Sequence, residues 1–355
     1  MKEPTAMRRK YLGLQILRFV AAFMVLVTHS GYYASERLAG GFGYWKNGAA
    51  GVDIFFVLSG FVMIYSSTKL FGDPKGWKIF AERRIVRIVP LYWLATTAKV
   101  ILLLVASGVV LHAKLGMFEV IASYLFLPSR NSTGEIGPLL GVGWTLNFEM
   151  FFYFLFTLAL WLRLNVYRFV GSVLILLSCG AFIRHSEWPA ISFYLKVSVL
   201  EFLYGMLIAR ACMKGRHLPV NAAVAVLLLA FWALVTPWQP MLRAHAISHG
   251  LAAALIIYSM ASLEDRLTRI PNFVLYLADA SYAIYLFHSL IAPGVPAVFA
   301  KLHLTKPWLS IICSVLVSLG VGSLIHSCVE EPITRFFRDR IKIAGKKVIH
   351  LPNTT

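Results

Sequence analysis

Long apolar runs recur along almost the whole chain, and this recurrence limits the possible fold more than any other feature. As a helix, about 20 apolar residues are long enough to cross the hydrocarbon core of a bilayer. Inside lipid, only helices and closed barrels satisfy every backbone hydrogen bond internally. We therefore predict an all-α, polytopic transmembrane helical bundle of about ten spans. The predicted spans lie at about 11–30, 48–66, 89–111, 140–162, 168–183, 189–211, 219–236, 244–262, 272–294 and 307–328.

The distribution of lysine and arginine supports this number of spans. Positive residues collect in the cytoplasmic loops of membrane proteins. With the N-terminus inside, the predicted cytoplasmic segments hold 23 of the 34 Lys and Arg residues, whereas the outer loops hold eight. We therefore expect both termini in the cytoplasm, with a basic tail over 1–10, a transmembrane domain over 11–330 and a second basic tail over 331–355. The first helix lacks a cleavage pattern and is expected to remain as an anchor.

Composition argues against several other classes of protein. The chain is 59% hydrophobic and 14% charged, with a mean hydropathy of +0.72, which does not fit a soluble domain. Its net charge of +18 is spread over predicted loop edges without a recognition motif. We therefore expect membrane lipids rather than nucleic acid as the partner of these charges. The four cysteines show no paired spacing, so neither disulfides nor a metal site are expected.

The first predicted helix carries two polar residues, Arg18 and His29, inside an otherwise apolar run. Such residues are rare in lipid and indicate function by default. Eleven positions at about 100° each bring both side chains to one helix face, roughly 16 Å apart along the axis. The spacing therefore predicts one polar stripe that covers about half the hydrocarbon thickness of a bilayer.

Two arginines, Arg84 and Arg87, lie in the predicted cytoplasmic loop 67–88, just before Pro90 at the start of a span. Two interpretations are open. Six cations in this loop are explained by topology alone. Alternatively, residues three positions apart share a helical face, and these two arginines form a clamp for the phosphates of a soluble cytoplasmic ligand.

Four further polar residues in predicted spans also have two interpretations each. Asp53 is either a charge favoured by the dipole at a helix N-terminus or part of an outer-facing site. Asn147 and Glu149 lie in the outer half of a helix, where the Glu149 carboxylate needs a proton or a cationic partner. They belong either to a structural pair with a neighbouring helix or to a site. His288 is either a satisfied core residue or a site residue like His29.

Two expectations concern the later spans. Lys196 and Glu201 are predicted as structural polar residues within the sixth helix. Pro332 follows Glu330 and Glu331 and is expected to end the last span, with an acidic residue at the helix end paired with arginines of the tail.

Five segments occur in an order that resembles membrane acyltransferase family 3, and most closely its exopolysaccharide-production acetyltransferases. The resemblance covers about residues 11–335. It implies a multi-pass O-acyltransferase of the bacterial inner membrane. Such an enzyme moves an acyl group, usually acetyl, from cytoplasmic acyl-CoA to a hydroxyl of a cell-surface or exported carbohydrate. The segments are LQILRFVAAFMVLVTHS, GVDIFFVLSGFVM, RRIVRIVPLYW, GVGWTLNFEMFFY and SYAIYLFH.

The resemblance also implies roles for particular residues. The family's helix-one arginine and histidine match Arg18 and His29, and its RxxR motif matches Arg84 and Arg87, which would hold the coenzyme A phosphates. Its tyrosine and histidine signature matches Tyr282 and His288. Acyl transfer to an alcohol needs a base, an oxyanion stabiliser and donor positioning.

On this basis His29 is the candidate base, with Arg18 and Glu149 as further candidate catalytic residues. Asp53, Asn147, Tyr282 and His288 are candidates for substrate contacts or support. No permanently bound cofactor is expected, and acetyl-CoA or another acyl-CoA is the donor substrate. The expected partners are a polysaccharide or lipid-linked oligosaccharide acceptor and polysaccharide assembly machinery.

The alternative function is a proton-coupled transporter of a lipid-linked sugar or acyl intermediate, with His29, Glu149 and His288 as the proton relay. The sequence shows no inverted halves and no matching pair of proline-interrupted helices, which argues against this alternative. A purely structural subunit would leave Arg18 and His29 without a purpose.

Overall fold

A computed structural model of the chain describes residues 11–38, 42–105, 115–131, 134–185, 187–236, 245–267 and 269–338. The predicted tail over 1–10, and most of the one over 331–355, lie outside these residues. The described part is helical apart from a two-stranded antiparallel ribbon of Ser129–Arg130 and Ile136–Gly137. Its helices are α1 Leu12–Arg37, α2 Gly51–Ser67, α3 Gly76–Val105, α4 Met117–Tyr124, α5 Trp144–Trp161, α6 Val166–Gly180, α7 Leu200–Met213, α8 Val220–Val235, α9 His245–Ser262, α10 Asn272–Ile291, α11 Gly294–Lys301 and α12 Pro307–Ile325.

Helices occur in all ten predicted positions, but they differ in length. Six helical segments in the described residues are long and apolar enough to cross a membrane, and they contain α1, α2, α3, α5, α10 and α12. The other four positions hold α6, α7, α8 and α9, which have 15, 14, 16 and 18 residues. The all-helical class is therefore confirmed, while the number of ten spans and the location of the termini stay predictions.

The prediction of one continuous helix over 189–211 was wrong. Two short 3-10 turns, Ala190–Tyr194 and Val197–Val199, precede α7, and the backbone at Lys196 is extended. Lys196 is therefore outside α7 altogether. Its ammonium lies over the rings of Trp144 and Phe193, at 4.7 Å from each centroid, and this cation–π contact holds it away from a helical position.

Two proline residues lie within helices rather than at their ends. Pro90 is an internal residue of α3, because that helix begins at Gly76 instead of near residue 89. Pro332 does not end the last helix, which continues to Arg338. A π-helical turn at His326–Glu330 comes just before this proline and already interrupts the ordinary hydrogen-bond pattern, so the missing N–H is tolerated there.

The acidic residues beside Pro332 have partners on their own helix. Glu330 lies 2.7 Å from the ring of His326, and Glu331 lies 2.5 Å from Arg335. The expected pairing of a helix-end acid with an arginine therefore applies to Glu331 and Arg335, although this arginine is helical rather than in a loop.

The core forms where α1 and α2 meet α7, α9 and α10. Backbones come very close at the crossing of α2 and α7, where a Cβ at Gly60 would overlap the carbonyl oxygen of Phe202. A Cβ at Gly205 would likewise overlap the carbonyl of Val57. Such close contacts at small residues are typical of helices packed in membranes.

The exterior of the bundle is rich in large apolar side chains. Leu104 on α3 is 69% exposed and Leu228 on α8 is 65% exposed. Trp232 on α8 and Leu316 on α12 are also exposed. A soluble monomer rarely exposes apolar surface on this scale. Together with the six apolar helices, these side chains identify a membrane protein.

Candidate active site

A central cavity of about 850 Å³, including its open mouth, lies between α1, α2, α3, α5 and α10. It is lined on one side by apolar and aromatic side chains and on the other by charged and hydroxyl groups. The polar lining residues are Arg18, Ser59, Arg84, Arg87, Thr145, Glu149, Tyr153, Tyr282 and Tyr285. Apolar walls with a few convergent polar and charged groups are typical of a site for a small molecule.

Arg84 and Arg87 reach the cavity from a helix and not from a loop, because α3 starts eight residues before Arg84. The guanidinium of Arg84 donates to Ser66 Oγ at 3.2 Å and lies over the rings of Phe80 and Tyr153. The neighbouring Arg83 is exposed and does not line the cavity. The helical spacing therefore places Arg84 and Arg87 at the cavity and Arg83 on the exposed side of α3.

Glu149 is the carboxylate among these arginines. It accepts hydrogen bonds from Tyr153 Oη and, at 3.2 Å, from Ser59 Oγ. Within the described part of the chain, it forms no ion pair within 4 Å with any of the three cavity arginines. Three cations and one hydrogen-bonded carboxylate leave the cavity positively charged, as a binding site for an anionic group requires.

His29 and His288 meet at the opposite end of the bundle. His29 Nδ1 lies 2.8 Å from His288 Nε2, and the two rings stack at 5.1 Å. His288 is completely buried, and its Nδ1 lies 2.5 Å from the carbonyl oxygen of Tyr285. α1 supplies one histidine and α10 the other, since these two helices pack against each other.

The tautomer of each histidine follows from these contacts. A carbonyl oxygen only accepts, so His288 Nδ1 must carry the proton that it donates to Tyr285. In a neutral ring His288 Nε2 is then an acceptor, and His29 Nδ1 must donate to it. The lone pair of His29 is therefore on Nε2, the nitrogen that a substrate hydroxyl can approach as its base.

Tyr285 lies between the cavity and the histidine pair. Its ring lines the cavity and meets Phe55 edge-on, with the two centroids 5.2 Å apart. Its hydroxyl lies 3.0 Å from Thr145 Oγ1, while its carbonyl holds His288. Tyr282, one turn earlier, donates to the carbonyl of Ile88 at 3.0 Å, next to Arg87. α10 thus connects the arginine end to the histidine end.

The two ends of this arrangement lie on opposite sides of the bundle. Ser66, which contacts Arg84, is at the end of α2, whereas the Thr145 side of the cavity is at the start of α5. Arg18 lines the cavity, but His29 does not. The predicted stripe along α1 is therefore divided, with Arg18 in the cavity and His29 in the pair beyond Tyr285.

Two of the candidate residues face elsewhere. Asp53 is not among the cavity-lining residues, and its charge acts on the buried Glu201, with which it shares a hydrogen bond between α2 and α7. Asn147 is fully buried and also absent from the cavity lining, with no partner for its amide in the described residues. The structure does not bring these two residues to the other candidates.

Four polar cavity residues were not among the sequence candidates, namely Ser59, Thr145, Tyr153 and Tyr285. Tyr153 had a usable signal, because it follows Glu149 by four positions and so shares its helix face. Tyr285 likewise lies one turn before His288. Ser59 and Thr145 had no such signal, since hydroxyl residues are common in membrane helices and their neighbours come from other helices.

Comparison with known proteins gives a consistent result. The family profile described as "Acyltransferase domain" (Acyl_transf_3) matches residues 11–327. The chain is 33% identical over 323 residues to the exopolysaccharide production protein ExoZ of Rhizobium meliloti, covering 88% of this chain and 97% of that protein. It is 24% identical to the acyltransferase MdmB of Streptomyces mycarofaciens, covering 94% and 93%.

A third similar protein is longer. The peptidoglycan O-acetyltransferase OatA of Listeria monocytogenes is 23% identical over 94% of this chain but only 58% of its own length. No solved structure matches the chain.

Proposed function

Because the chain belongs to the membrane acyltransferase 3 family, whose profile matches it over residues 11–327, we propose that it is an O-acetyltransferase acting on carbohydrate. In this proposal acetyl-CoA, or another acyl-CoA, is the cytoplasmic donor. The acceptor is a hydroxyl of an exported polysaccharide or its lipid-linked precursor. The names of the exopolysaccharide protein ExoZ and the peptidoglycan O-acetyltransferase OatA support this class of acceptor.

The observation that supports the proposal most is the placement of arginines in the cavity and of a histidine pair beyond Tyr285, on opposite sides of the bundle. Arg84 and Arg87 line the end of the cavity beside Ser66, and the His29–His288 pair lies beyond its other end. Acyl-CoA has the same division, with phosphates at one end and a thioester at the other. A long narrow donor accounts for the separation of roughly half a bilayer between anion-binding and reacting groups.

In the proposed reaction His29 acts as the general base. His29 Nε2 takes the proton of the acceptor hydroxyl while the hydroxyl oxygen forms a bond to the thioester carbonyl carbon. The C–S bond then breaks, and the proton held on His29 Nε2 passes to the sulfur, so that coenzyme A leaves as a thiol and His29 is neutral again. His288 keeps the lone pair of His29 on Nε2, because it accepts from Nδ1. A base held in this way contributes about 100- to 10,000-fold to rate.

The arginines hold the donor in this mechanism. Arg84 and Arg87 bind the phosphates, for which guanidinium groups are well suited. Arg18 lies deeper along α1, near Glu149 and Arg87, and balances negative charge of the donor. Glu149 receives hydrogen bonds from Tyr153 and Ser59 and so keeps the cavity wall in place around the cations.

The proposal includes a topology. We place the chain as a multi-pass protein in the bacterial inner membrane, with ten spans and both termini in the cytoplasm. The arginine end of the cavity then faces the cytoplasmic donor, and the histidine end faces the side where exported carbohydrate is modified. The excess of lysine and arginine in the predicted inner loops supports this orientation.

The family membership favours an enzyme over the proton-coupled transporter. The arrangement of Glu149 also favours it, because this residue is bound to Tyr153 and Ser59 and is not part of a continuous line with the two histidines. Polysaccharide assembly machinery remains a proposed partner.

The test compares cells that express the wild type, His29→Ala or no protein. Mass spectrometry of cell-surface polysaccharide and its lipid-linked precursors should show an acetyl increment with the wild type alone. Purified wild type in proteoliposomes should also release coenzyme A from acetyl-CoA when acceptor is present. Identical spectra from all three strains, with expression verified, and no release of coenzyme A would contradict the proposal.

A further inference from the structure

A second open pocket, of about 800 Å³ including its mouth, lies beside the start of α7. Three of its lining residues carry basic side chains, namely Arg184, His185 and Lys196. None of these belongs to a motif that the family resemblance used. The space exceeds what an inorganic ion needs and is large enough for a sugar unit.

The cations in this pocket lack acidic partners. Lys196 lies close enough to Arg184 for the two charges to repel each other, and no acidic residue acts on Lys196. In the described parts of the chain neither side chain forms an ion pair, and Arg184 instead donates from Nε to Ser192 Oγ at 3.3 Å. Holding two like charges together is unfavourable unless an anion joins them.

Contacts with surrounding aromatic residues fix the position of the Lys196 side chain. Its ammonium lies 4.7 Å from the ring centroids of Trp144 and Phe193 and 5.5 Å from that of Phe148. Phe193 and Phe148 are themselves buried. Three aromatic rings thus fix the charge at the pocket wall, since cation–π contacts are directional.

The pocket is on the histidine side of the bundle. α7 starts beside the start of α2, as the contact between Glu201 and Asp53 shows, and Lys196 comes just before α7. Trp144, under the Lys196 ammonium, is the first residue of α5 and precedes Thr145 of the central cavity. The start of α5 therefore contacts the Lys196 ammonium through Trp144 and lines the central cavity through Thr145.

We infer that Arg184 and Lys196 form a binding subsite for the carboxylate of an acidic sugar in the carbohydrate acceptor. This inference rests on the proposed transfer reaction, because it assigns the pocket to the acceptor of that reaction. One carboxylate satisfies both cations, and the open volume beside them holds the rest of the sugar. Acceptors that contain an acidic sugar near the acetylated hydroxyl are then bound in preference to neutral ones.

The test measures binding at Lys196 without requiring transfer. The full chain is placed in phosphatidylcholine nanodiscs and treated briefly with a water-soluble acetylating reagent, and modification of Lys196 is measured by mass spectrometry. The probes are a tetrasaccharide of glucuronic acid and a neutral tetrasaccharide of glucose. Lys46, which is exposed and lies 5.7 Å from the ring centroid of Tyr44, is the internal control.

We expect the glucuronic acid tetrasaccharide to reduce modification of Lys196 at least about threefold, with no change at Lys46 and no effect of the glucose tetrasaccharide. Equal protection by both sugars, or by neither, overturns the inference. A repeat in nanodiscs that contain phosphatidylglycerol tests whether the pocket binds anionic lipid headgroups instead. If phosphatidylglycerol alone protects Lys196 to the same degree, the pocket binds lipid headgroups and the inference is overturned.

A variant experiment separates this inference from the proposed function. In Lys196→Met, KM for an acidic acceptor should rise about tenfold, whereas KM for a neutral acceptor should change by less than about twofold. Lys46→Met is the matched control and should change neither value. The result for His29→Ala bears only on the transfer reaction. An unchanged KM for the acidic acceptor in Lys196→Met overturns the subsite.

Discussion

His29 Nδ1 on α1 lies 2.8 Å from His288 Nε2 on α10, and this contact joins two residues that are 259 positions apart in the chain. The carbonyl of Tyr285 sets the proton on the far side of His288. The tautomer of His29 on α1 is therefore set by a backbone oxygen of α10. This dependence gives the first prediction.

Replacing His288 should lower kcat more than it changes KM, because His288 positions His29 and does not hold the substrate. We expect His288→Ala to reduce kcat about 10- to 100-fold, as is usual when a partner that orients a functional histidine is lost. His288→Gln should recover part of the loss, because its amide oxygen can accept from His29. Initial rates with varied acetyl-CoA provide the measurement, and equal rates for alanine and glutamine would argue for a merely structural role.

Arg84 and Arg87 should affect donor binding. Charge-assisted hydrogen bonds contribute about 1.5–3 kcal/mol, so Arg84→Ala or Arg87→Ala should raise KM for acetyl-CoA about 10- to 100-fold. Arg83→Ala is the matched control, since Arg83 is adjacent but exposed. If the Arg83 variant matched the other two, general positive charge at this end of α3 rather than a phosphate site would explain the motif.

The crossing of α2 and α7 should be sensitive to a single methyl group. A Cβ at Gly205 would overlap the carbonyl of Val57 and come within 2.6 Å of the amide nitrogen of Phe61, and backbone atoms cannot move aside easily. We expect Gly205→Ala to destabilise the protein by about 1–3 kcal/mol. The thermal unfolding midpoint in detergent measures this loss.

Gly320→Ala serves as the control for that change. Gly320 is also helical, but a Cβ there would meet no atom within 4 Å. Its replacement should leave the midpoint unchanged or raise it slightly, because alanine favours helix. Similar midpoints for both variants would show that α2 and α7 do not pack as closely as the structure shows.

Binding of acidic acceptors should depend on pH through Lys196, which lies in the extended segment before α7, on the wall of an open pocket. Burial, and then the nearby charge of Arg184, lower the pKa of Lys196 to about 8. The ammonium is thus lost as pH rises through about 8, while a sugar carboxylate stays ionised. The ratio of kcat/KM for acidic over neutral acceptors should therefore fall between about pH 7 and pH 9.

The ratio of kcat/KM for acidic over neutral acceptors removes effects of pH on the transfer reaction, because these effects are shared by both acceptors. Arg184 keeps its charge over this range and the three aromatic rings carry none, and a comparison with Lys196→Arg separates Lys196 from His185, the other basic side chain of the pocket. Lys196→Arg should make the ratio independent of pH, because a guanidinium keeps its charge. A ratio that stays constant in the wild type would contradict the assignment.

Several features of this protein were predictable from the sequence because they depend on local composition. Apolar runs of sufficient length must form helices in lipid, and helices occur at all ten predicted positions. The spacing of Arg84 and Arg87 placed them on one face by helical geometry alone, and both line the cavity. The ordered motifs were sufficient to identify the family.

Other features depended on contacts between helices that are far apart in sequence. The spacing of Arg18 and His29 predicted a shared stripe, but Tyr285 from α10 lies between the cavity and the histidine pair and so divides it. Asp53 was a site candidate, yet its charge acts on Glu201 of α7. In each case the partner comes from another helix, and the register between two helices depends on their packing.

Lys196 shows the same limit most clearly. Its hydrophobic neighbours predicted a helical span, but the aromatic rings of Trp144 and Phe193 attract its ammonium and the chain there is extended. The sequence by itself determined where apolar helices form and which residue types the site contains. Tertiary structure decided which of those residues meet, because hydrogen bonds, ring contacts and charge interactions act over a few ångströms between segments that only packing brings together.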